Sequence, residues 1–355
     1  MSVQSFRAEN FRCLADIEVE PAADYNLFYG ANASGKTSIL EAIAYLGRGK
    51  SFRGATPGDL VRHGQKSFTL FGAIEAGDRT ARVGVRNSSA GMEVRVDGVS
   101  GGGAAALATA LPLQIIDPDI HNLVAGAPDE RRRYLDWIAF HVEHDYLAVW
   151  RRFRRALKQR NAALRSNAAP DVIHRWSAEF VVLAEQIDAG RRRALLAAGE
   201  ALEEIAADLL GDEIAFEYQP GWPQDKPLET LLADGLDREL QQGSTQYGPH
   251  RADLKLTYDE RRARKLVSRG QQKLLACAMV LGATETAQVA LERPMLLLLD
   301  DPAAELDGDS LGRLMRRAVT LGCQIVATSL QPDVQLFPTP AAMFHVERGG
   351  VTRVG

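Results

Sequence analysis

Gly30, Ala31, Asn32, Ala33, Ser34, Gly35, Lys36 and Thr37 have the G-x-x-x-x-G-K-[ST] spacing that wraps backbone N–H groups around a phosphate. Gly30 and Gly35 admit the backbone angles such a loop needs. The apolar run Tyr25–Tyr29 before it reads as a strand and Ser38–Leu46 after it as a helix, whose N-terminal dipole adds to the anion site. Lys36 then supplies a point charge between β- and γ-phosphates, and the Thr37 hydroxyl joins the Mg²⁺ shell. A second reactive pair ends the run Met295-Leu-Leu-Leu-Leu-Asp300-Asp301. Two carboxylates at the end of a buried strand are costly unless a cation or hydrogen bonds await them. Mg²⁺ on Asp300 accounts for one. Asp301 either orients and deprotonates an attacking water or caps the turn at Pro302.

Ser268-Arg-Gly-Gln-Gln272 opens the helix preceding that strand. A Ser N-cap followed by Gly and exposed amides makes a second anion-binding helix terminus. One nucleotide cannot easily use both termini within one subunit if they lie on opposite sides of the fold, whereas two subunits head to tail would let both grip it. Lys36 and Asp300 are 264 residues apart (300 − 36), too far for a small P-loop kinase without an insertion.

The elements that must position these groups fall into three stretches. In the first, short β-like runs at Val3–Phe6 and Ile17–Val19 precede the phosphate loop, and period-2 stretches at Phe68–Ile74, Ala81–Arg86 and Met92–Val96 predict antiparallel strands. Gly101–Gly103 reads as a turn into a helix. From Pro128 to Gly211 apolar residues recur at helical spacing without sustained heptads, which excludes a long coiled coil. From Tyr247 onward, strands are expected at Leu254–Tyr258, Met295–Leu299, Gln324–Thr328 and Ala342–Val346, with a helix over Ser268–Ala290. The uniformly apolar Met295–Leu299 suits a parallel strand buried on both faces. The expected organisation is an ATPase lobe from residues 1–125 and 241–355, interrupted by a helical lobe over 126–240.

Taken together, Gly30–Thr37, Ser268–Gln271, Leu296–Asp301 and Ala304-Glu-Leu-Asp307 resemble the Walker A, signature, Walker B and D-loop motifs of ABC-type ATPase heads of the SMC class. Tyr247-Gly-Pro-His-Arg-Ala-Asp253, Phe11-Arg12, Ser51-Phe-Arg53 and Asp129-Glu-Arg-Arg-Arg-Tyr-Leu-Asp136-Trp137 look like the RecF family of bacterial recombination mediators, across essentially the whole chain. The resemblance implies an α/β fold, an ABC-type P-loop ATPase head with a mixed sheet and an inserted helical lobe. It implies a slow, DNA-stimulated ATPase of recombinational repair and replication restart. ATP would close a homodimer on DNA and hydrolysis would release it, helping to load recombinase at gaps with RecO and RecR. By the same analogy ATP sits on Gly30–Thr37 and Ser38, with Lys36 and Asp301 catalytic and Thr37 and Asp300 on Mg²⁺. Gln114 would sense metal or water. Ser268, Gly270, Gln271 and Asp307 would reach the partner's nucleotide. Two departures, Ala327-Thr328-Ser329 where transporters carry a switch His and Asp rather than Glu at 301, suit slow turnover.

Between Arg131 and Arg165 there are ten Arg or Lys against three Asp or Glu, a local surplus in a chain of net charge −4. Arg151, Arg152, Arg154, Arg155 and Lys158, with a second cluster at Arg191, Arg192 and Arg193, are candidate contacts to the phosphates of gapped or junction DNA; the alternative is solvated helix faces. Recognition by backbone and shape is expected, since no base-reading motif is visible. His141 and His144 lack further metal ligands, and Trp137, Trp150 and Trp176 fit helix packing. His250 reads as structuring the nucleotide or signature lobe. With 46% hydrophobic and 25% charged residues, 355 residues form an ordinary globular protein. The longest aliphatic run is far too short to cross a bilayer, and Arg7, Glu9 and Arg12 stand where an export signal would be apolar. Cys13, Cys277 and Cys323 have no metal-ligand spacing, which suits a reducing cytoplasm. The rival reading is the ATPase subunit of a membrane transporter, which needs no basic helical insertion of this size.

Overall fold

The computed structural model describes residues 1–77, 79–258, 261–262, 268–304, 306–332 and 338–354. The chain divides into two compact units, Met1–Ile120 with Glu292–Gly355, and His121–Leu291.

The first unit contains two sheets. In the antiparallel one, Leu14–Val19, Ser2–Phe11, Ser67–Ala76, Arg79–Ser88, Gly91–Val96 and Val99–Ser100 lie side by side in that order. Its strands alternate buried and open residues, so Phe6, Ala8, Phe68, Leu70, Val83, Val85 and Val94 form one wall of a core. The other sheet runs Gly350–Arg353, Ala342–Glu347, Tyr25–Tyr29, Gln324–Ser329, Leu296–Leu299, Leu113–Ile116. All its neighbours are parallel except the Gly350–Arg353 hairpin edge. Leu296–Leu299 is buried throughout, as a strand covered on both faces must be. Its neighbour Leu113–Ile116 is too short to show a period in the sequence. The helix Lys36–Arg48 packs Ile39, Leu40 and Ile43 into the same core.

The second unit is mostly helical, with Pro128–Val142, Tyr146–Arg165, the 41-residue Pro170–Leu210 and Arg269–Leu291. In a small antiparallel sheet Asp253–Tyr258 lies between Ile214–Gln219, missed in the sequence, and Arg261–Arg262. The division differs from the one expected at 240: residues 241–291 belong with the helical unit. The reason is packing. Arg269–Leu291 lies so close to Pro170–Leu210 that a Cβ on Gly282 would stand 2.7 Å from Leu202, and the Tyr134 hydroxyl donates to the Met279 carbonyl at 2.9 Å. Arg269–Leu291 has the length and hydropathy of a membrane span, yet 72% of that stretch is buried within the protein.

Candidate functional site

Parallel strands deliver their C-terminal ends to one edge, and the candidate groups collect there. Tyr25–Tyr29 ends at Gly30, whose N–H donates to the Ser329 carbonyl at 3.3 Å. A Cβ on Gly30 would lie 2.2 Å from the Val346 carbonyl oxygen, so only glycine fits. Gly35, at φ +117°, begins the helix in a conformation L side chains rarely adopt, with the Cys13 sulfur 3.1 Å from where a Cβ would stand. The loop is also fastened from below, Gly349 N–H donating to the Ser34 carbonyl at 2.8 Å. Cys13 is the exposed one of the three thiols and donates to Ser38 Oγ at 3.5 Å.

Within this loop the Lys36 ammonium folds back, donating to the carbonyls of Gly30 at 2.7 Å and Ala31 at 3.0 Å. Burial lowers its pKa, against the pull of Asp301 and Asp300. The Thr37 hydroxyl donates to Asp300 Oδ1 at 3.0 Å. From the adjacent strand the Thr328 hydroxyl donates to the same oxygen at 3.0 Å and accepts the Asp301 N–H at 2.9 Å. Burial raises the Asp300 pKa; the two hydroxyls, Arg53 and Lys36 oppose it. Burial also raises Asp301, opposed by Lys36. Asp301 sits at φ 48°, a left-handed backbone that Asp and Asn adopt more readily than other side chains.

Thr328, which in the sequence stands only where transporters carry a switch His, is thus part of the site.

Gln114 does not stand where it could sense metal or water. It pairs in register with Leu297, three residues back from Asp300 and so ~10 Å along the strand. Its carboxamide oxygen accepts from Arg48 at 3.0 Å. The carboxylate that follows the register partner of Leu299 is Asp117, pushed up to about 6 by burial, with Asp119, Asp300 and Arg48 among its electrostatic neighbours.

The motifs at Arg12 and Ser51 meet on the phosphate-loop helix. Fully buried Glu41 takes a two-pronged pair from Arg12, at 2.8 and 2.9 Å, and the Ser51 hydroxyl. Asp307 caps its own helix, Gly308–Thr320, accepting from Ser310 N–H at 2.9 Å and Ser310 hydroxyl at 2.8 Å; those bonds lower its pKa.

In the helical unit, Ser268 and Gln271 form a reciprocal capping box, with Ser268 N–H donating to Gln271 Oε1 at 2.9 Å and Gln271 N–H to Ser268 Oγ at 3.3 Å. Ser268, Arg269 and Gly270 are exposed, so this helix end is open.

The basic clusters separate. Arg151, Arg152, Arg154, Arg155 and Lys158 are all exposed along Tyr146–Arg165. Arg154 lies 5.3 Å over Trp150 and Arg152 stands 3.7 Å from Glu179. Arg191 is withdrawn as a DNA contact: it is 3% exposed, bound to Asp136 at 2.8 Å and to the Pro249 carbonyl at 2.6 Å. Arg192 pairs with Asp188 and Arg193 with Glu143, both still partly exposed. Arg191 instead clasps the Tyr247–Asp253 segment together with Arg131, which takes Asp253 at 2.7 and 3.1 Å, and Arg132, which reaches the Ala252 carbonyl at 2.7 Å. Inside that segment His250 Nε2 meets the Thr245 carbonyl at 3.0 Å, and burial pushes the imidazole down to about 4. A neutral, buried His250 is structural.

The RecF/RecN/SMC N terminal domain family matches residues 2–349. A protein of Stutzerimonas stutzeri named DNA replication and repair protein RecF is 38% identical over 364 residues, covering 100% of this chain and 98% of its own. A Pseudomonas aeruginosa protein of the same name is 38% identical over 361 residues, covering 99% and 98%. The solved structure of a recombination mediator protein RecF with ATP superimposes with a TM-score of 0.89 at 23% identity, covering 100% of this chain and 98% of that one. A solved Smc head bound to the C-winged helix domain of ScpA gives 0.63 at 16%, covering 100% and 98%.

Proposed function

The chain belongs to the RecF/RecN/SMC N-terminal-domain family of ATPases, in its RecF group of DNA replication and repair proteins, and from that premise we propose that it is an ATP-gated DNA clamp. The observation that carries the reading is the convergence of Lys36, Thr37, Asp300, Asp301 and Thr328 at one sheet edge. The loop amides and Lys36 bind the triphosphate. The Thr37 hydroxyl and Asp300 carboxylate are hard oxygen donors of the kind Mg²⁺ takes, and the ion would neutralise charge on the β- and γ-phosphates. Thr328 fixes Asp300 on one side and, through the Asp301 N–H, sets the neighbouring carboxylate. Asp301 orients the attacking water and accepts its proton.

Ser268, Gly270 and Gln271 form an open helix end that supports a contact to the γ-phosphate of a second copy, giving a head-to-tail homodimer with ATP between. Asp307, its carboxylate already committed to Ser310, serves there by shaping the loop at the interface. The dimer holds gapped or junction duplex DNA without sequence preference, hydrolysis is weak and DNA-stimulated, and RecO and RecR are the expected partners in recombinase loading. A DNA repair role fits a protein that works in the cytoplasm. The transporter reading has no support from its relatives.

The deciding experiment is light scattering without nucleotide, with ADP and with ATP–Mg²⁺, each with and without a gapped duplex. A dimer that appears only with ATP supports the clamp. A monomer throughout removes it while leaving the phosphate site. Lys36→Ala is expected to weaken ATP binding at least ~30-fold, the cost of removing one partner from a buried charged contact, and to abolish ATP-driven dimerisation. Unchanged scattering would take Lys36 out of the site. Changing Arg151, Arg152, Arg154 and Arg155 together to Gln should weaken duplex binding and lower the slope of log K against log salt by roughly one unit per lost phosphate contact. An unaltered slope would return that helix to a solvated face.

A further inference from the structure

The outward face of the antiparallel sheet carries a feature the ATP site does not use. Gly84 lies in the strand Arg79–Ser88, and a Cβ placed on it meets nothing within 4 Å. In register it sits between Phe71 on one neighbouring strand and Arg95 on the other. Along its own strand Arg82 and Arg86 flank it two residues away, on the same face. The bare glycine therefore leaves a gap in the side-chain layer, with Phe71 beside it on one strand, Arg95 on the other, and Arg82 and Arg86 before and after it on its own. Phe71 is 40% exposed although every other phenylalanine of the sheets is covered or half-covered. Arg82, Arg86 and Arg95 are exposed, and among the described residues none forms an ion pair. Arg7 at the rim does, with Glu9 and Asp16, and Glu93 faces Arg86 across the strands without pairing.

An exposed ring costs solubility, and three arginines outnumber the two carboxylates beside them, Glu93 opposite Arg86 and Asp97 accepting the Arg82 N–H at 2.7 Å; a ligand with a flat apolar face and a negative backbone suits both. Strand spacing puts Phe71 and Arg95 ~10 Å apart, with Gly84 between. A nucleotide spans such a gap. Sheet faces that combine an aromatic ring with cationic neighbours bind single-stranded nucleic acid by stacking one base while charge tracks the phosphates. We infer that Phe71, Gly84, Arg82, Arg86 and Arg95 form a single-stranded DNA subsite on this sheet, resting on the DNA-binding reading above. One unpaired base stacks on Phe71 over Gly84, and flanking phosphates lie on the three arginines. A gap or junction offers such a strand next to duplex.

The test is fluorescence anisotropy of the full chain with a labelled oligothymidylate of about 15 nucleotides, an abasic oligomer of the same length, and a duplex. Phe71→Ala is expected to weaken oligothymidylate binding roughly ten-fold and to erase its preference over the abasic strand. The triple change of Arg82, Arg86 and Arg95 to Gln should lower the salt slope by about two units, at ~0.7 per phosphate on single strands. Gly84→Ile fills the gap where there is room for it, so its melting temperature should hold while oligothymidylate binding falls. Wild-type binding by all three variants, or equal binding of the abasic strand by the unaltered protein, overturns the subsite and leaves the clamp intact. Binding of duplex but no oligothymidylate by the unaltered protein also overturns it. Failure to bind either DNA overturns the clamp reading as well.

Discussion

Asp301→Asn should bind ATP as the unaltered protein does and hydrolyse it roughly 10²–10⁴-fold more slowly, the contribution usual for a positioned general base. Asparagine is the informative replacement because it tolerates the left-handed backbone held here at φ 48° and keeps the N–H that the Thr328 hydroxyl accepts. What disappears is the carboxylate that burial has made more basic than usual. The ATP-bound dimer should then outlast the measurement, visible as a scattering signal that no longer decays after mixing with ATP–Mg²⁺. Turnover at the original rate would remove Asp301 from catalysis and leave it as the cap of the turn at Pro302.

A loss of similar size in stability is expected at Arg160, a residue that touches no nucleotide. Its guanidinium is 0% exposed and bonds to Glu239 at 2.6 Å, Thr245 Oγ at 2.8 Å and Ser177 Oγ at 2.9 Å. Glu239 in turn is 1% exposed and also accepts the Gln246 N–H. Arg160→Met leaves a carboxylate buried without its counter-charge, at about 3–5 kcal/mol. For the helical unit of 171 residues (291 − 121 + 1) this is a fall of roughly 6–20 °C in melting temperature. Adding Glu239→Leu should restore part of it, since the pair removed together costs less than one partner stranded. A single variant that melts where the unaltered protein does would mean water reaches Glu239.

The phosphate loop, the Asp300–Asp301 pair and the capped Ser268 helix were legible because each is a local pattern whose chemistry is set by near neighbours. Thr328 was not, since it reaches Asp300 through the register of two parallel strands, Leu299 beside Ala327, and no spacing along the chain encodes that. Gln114 misled for the same reason: its strand position decides what it touches. The Arg191–Arg193 triplet had a readable warning. Successive residues on a helix point about 100° apart, so three in a row spread over about 200° and do not present one narrow face to a ligand. The lobe boundary was misplaced because strand–helix alternation marks elements, whereas membership of a unit is decided by which helix a helix lies against.

The strand that leads into the phosphate loop has as its parallel neighbours Gln324–Ser329 and Ala342–Glu347. The loop itself rests on the Val346 carbonyl and Gly349. On the ribosome, Tyr25 emerges 317 residues before Ala342 (342 − 25), which at ~5–20 residues per second is about 15–60 s. For nearly all of that interval the strand has neither neighbour, since Gln324–Ser329 is made only just before Ala342, and the Val346 carbonyl and Gly349 come later still. A nascent chain therefore holds the phosphate loop without the strands and backbone it rests on until Ala342–Gly349 has been made.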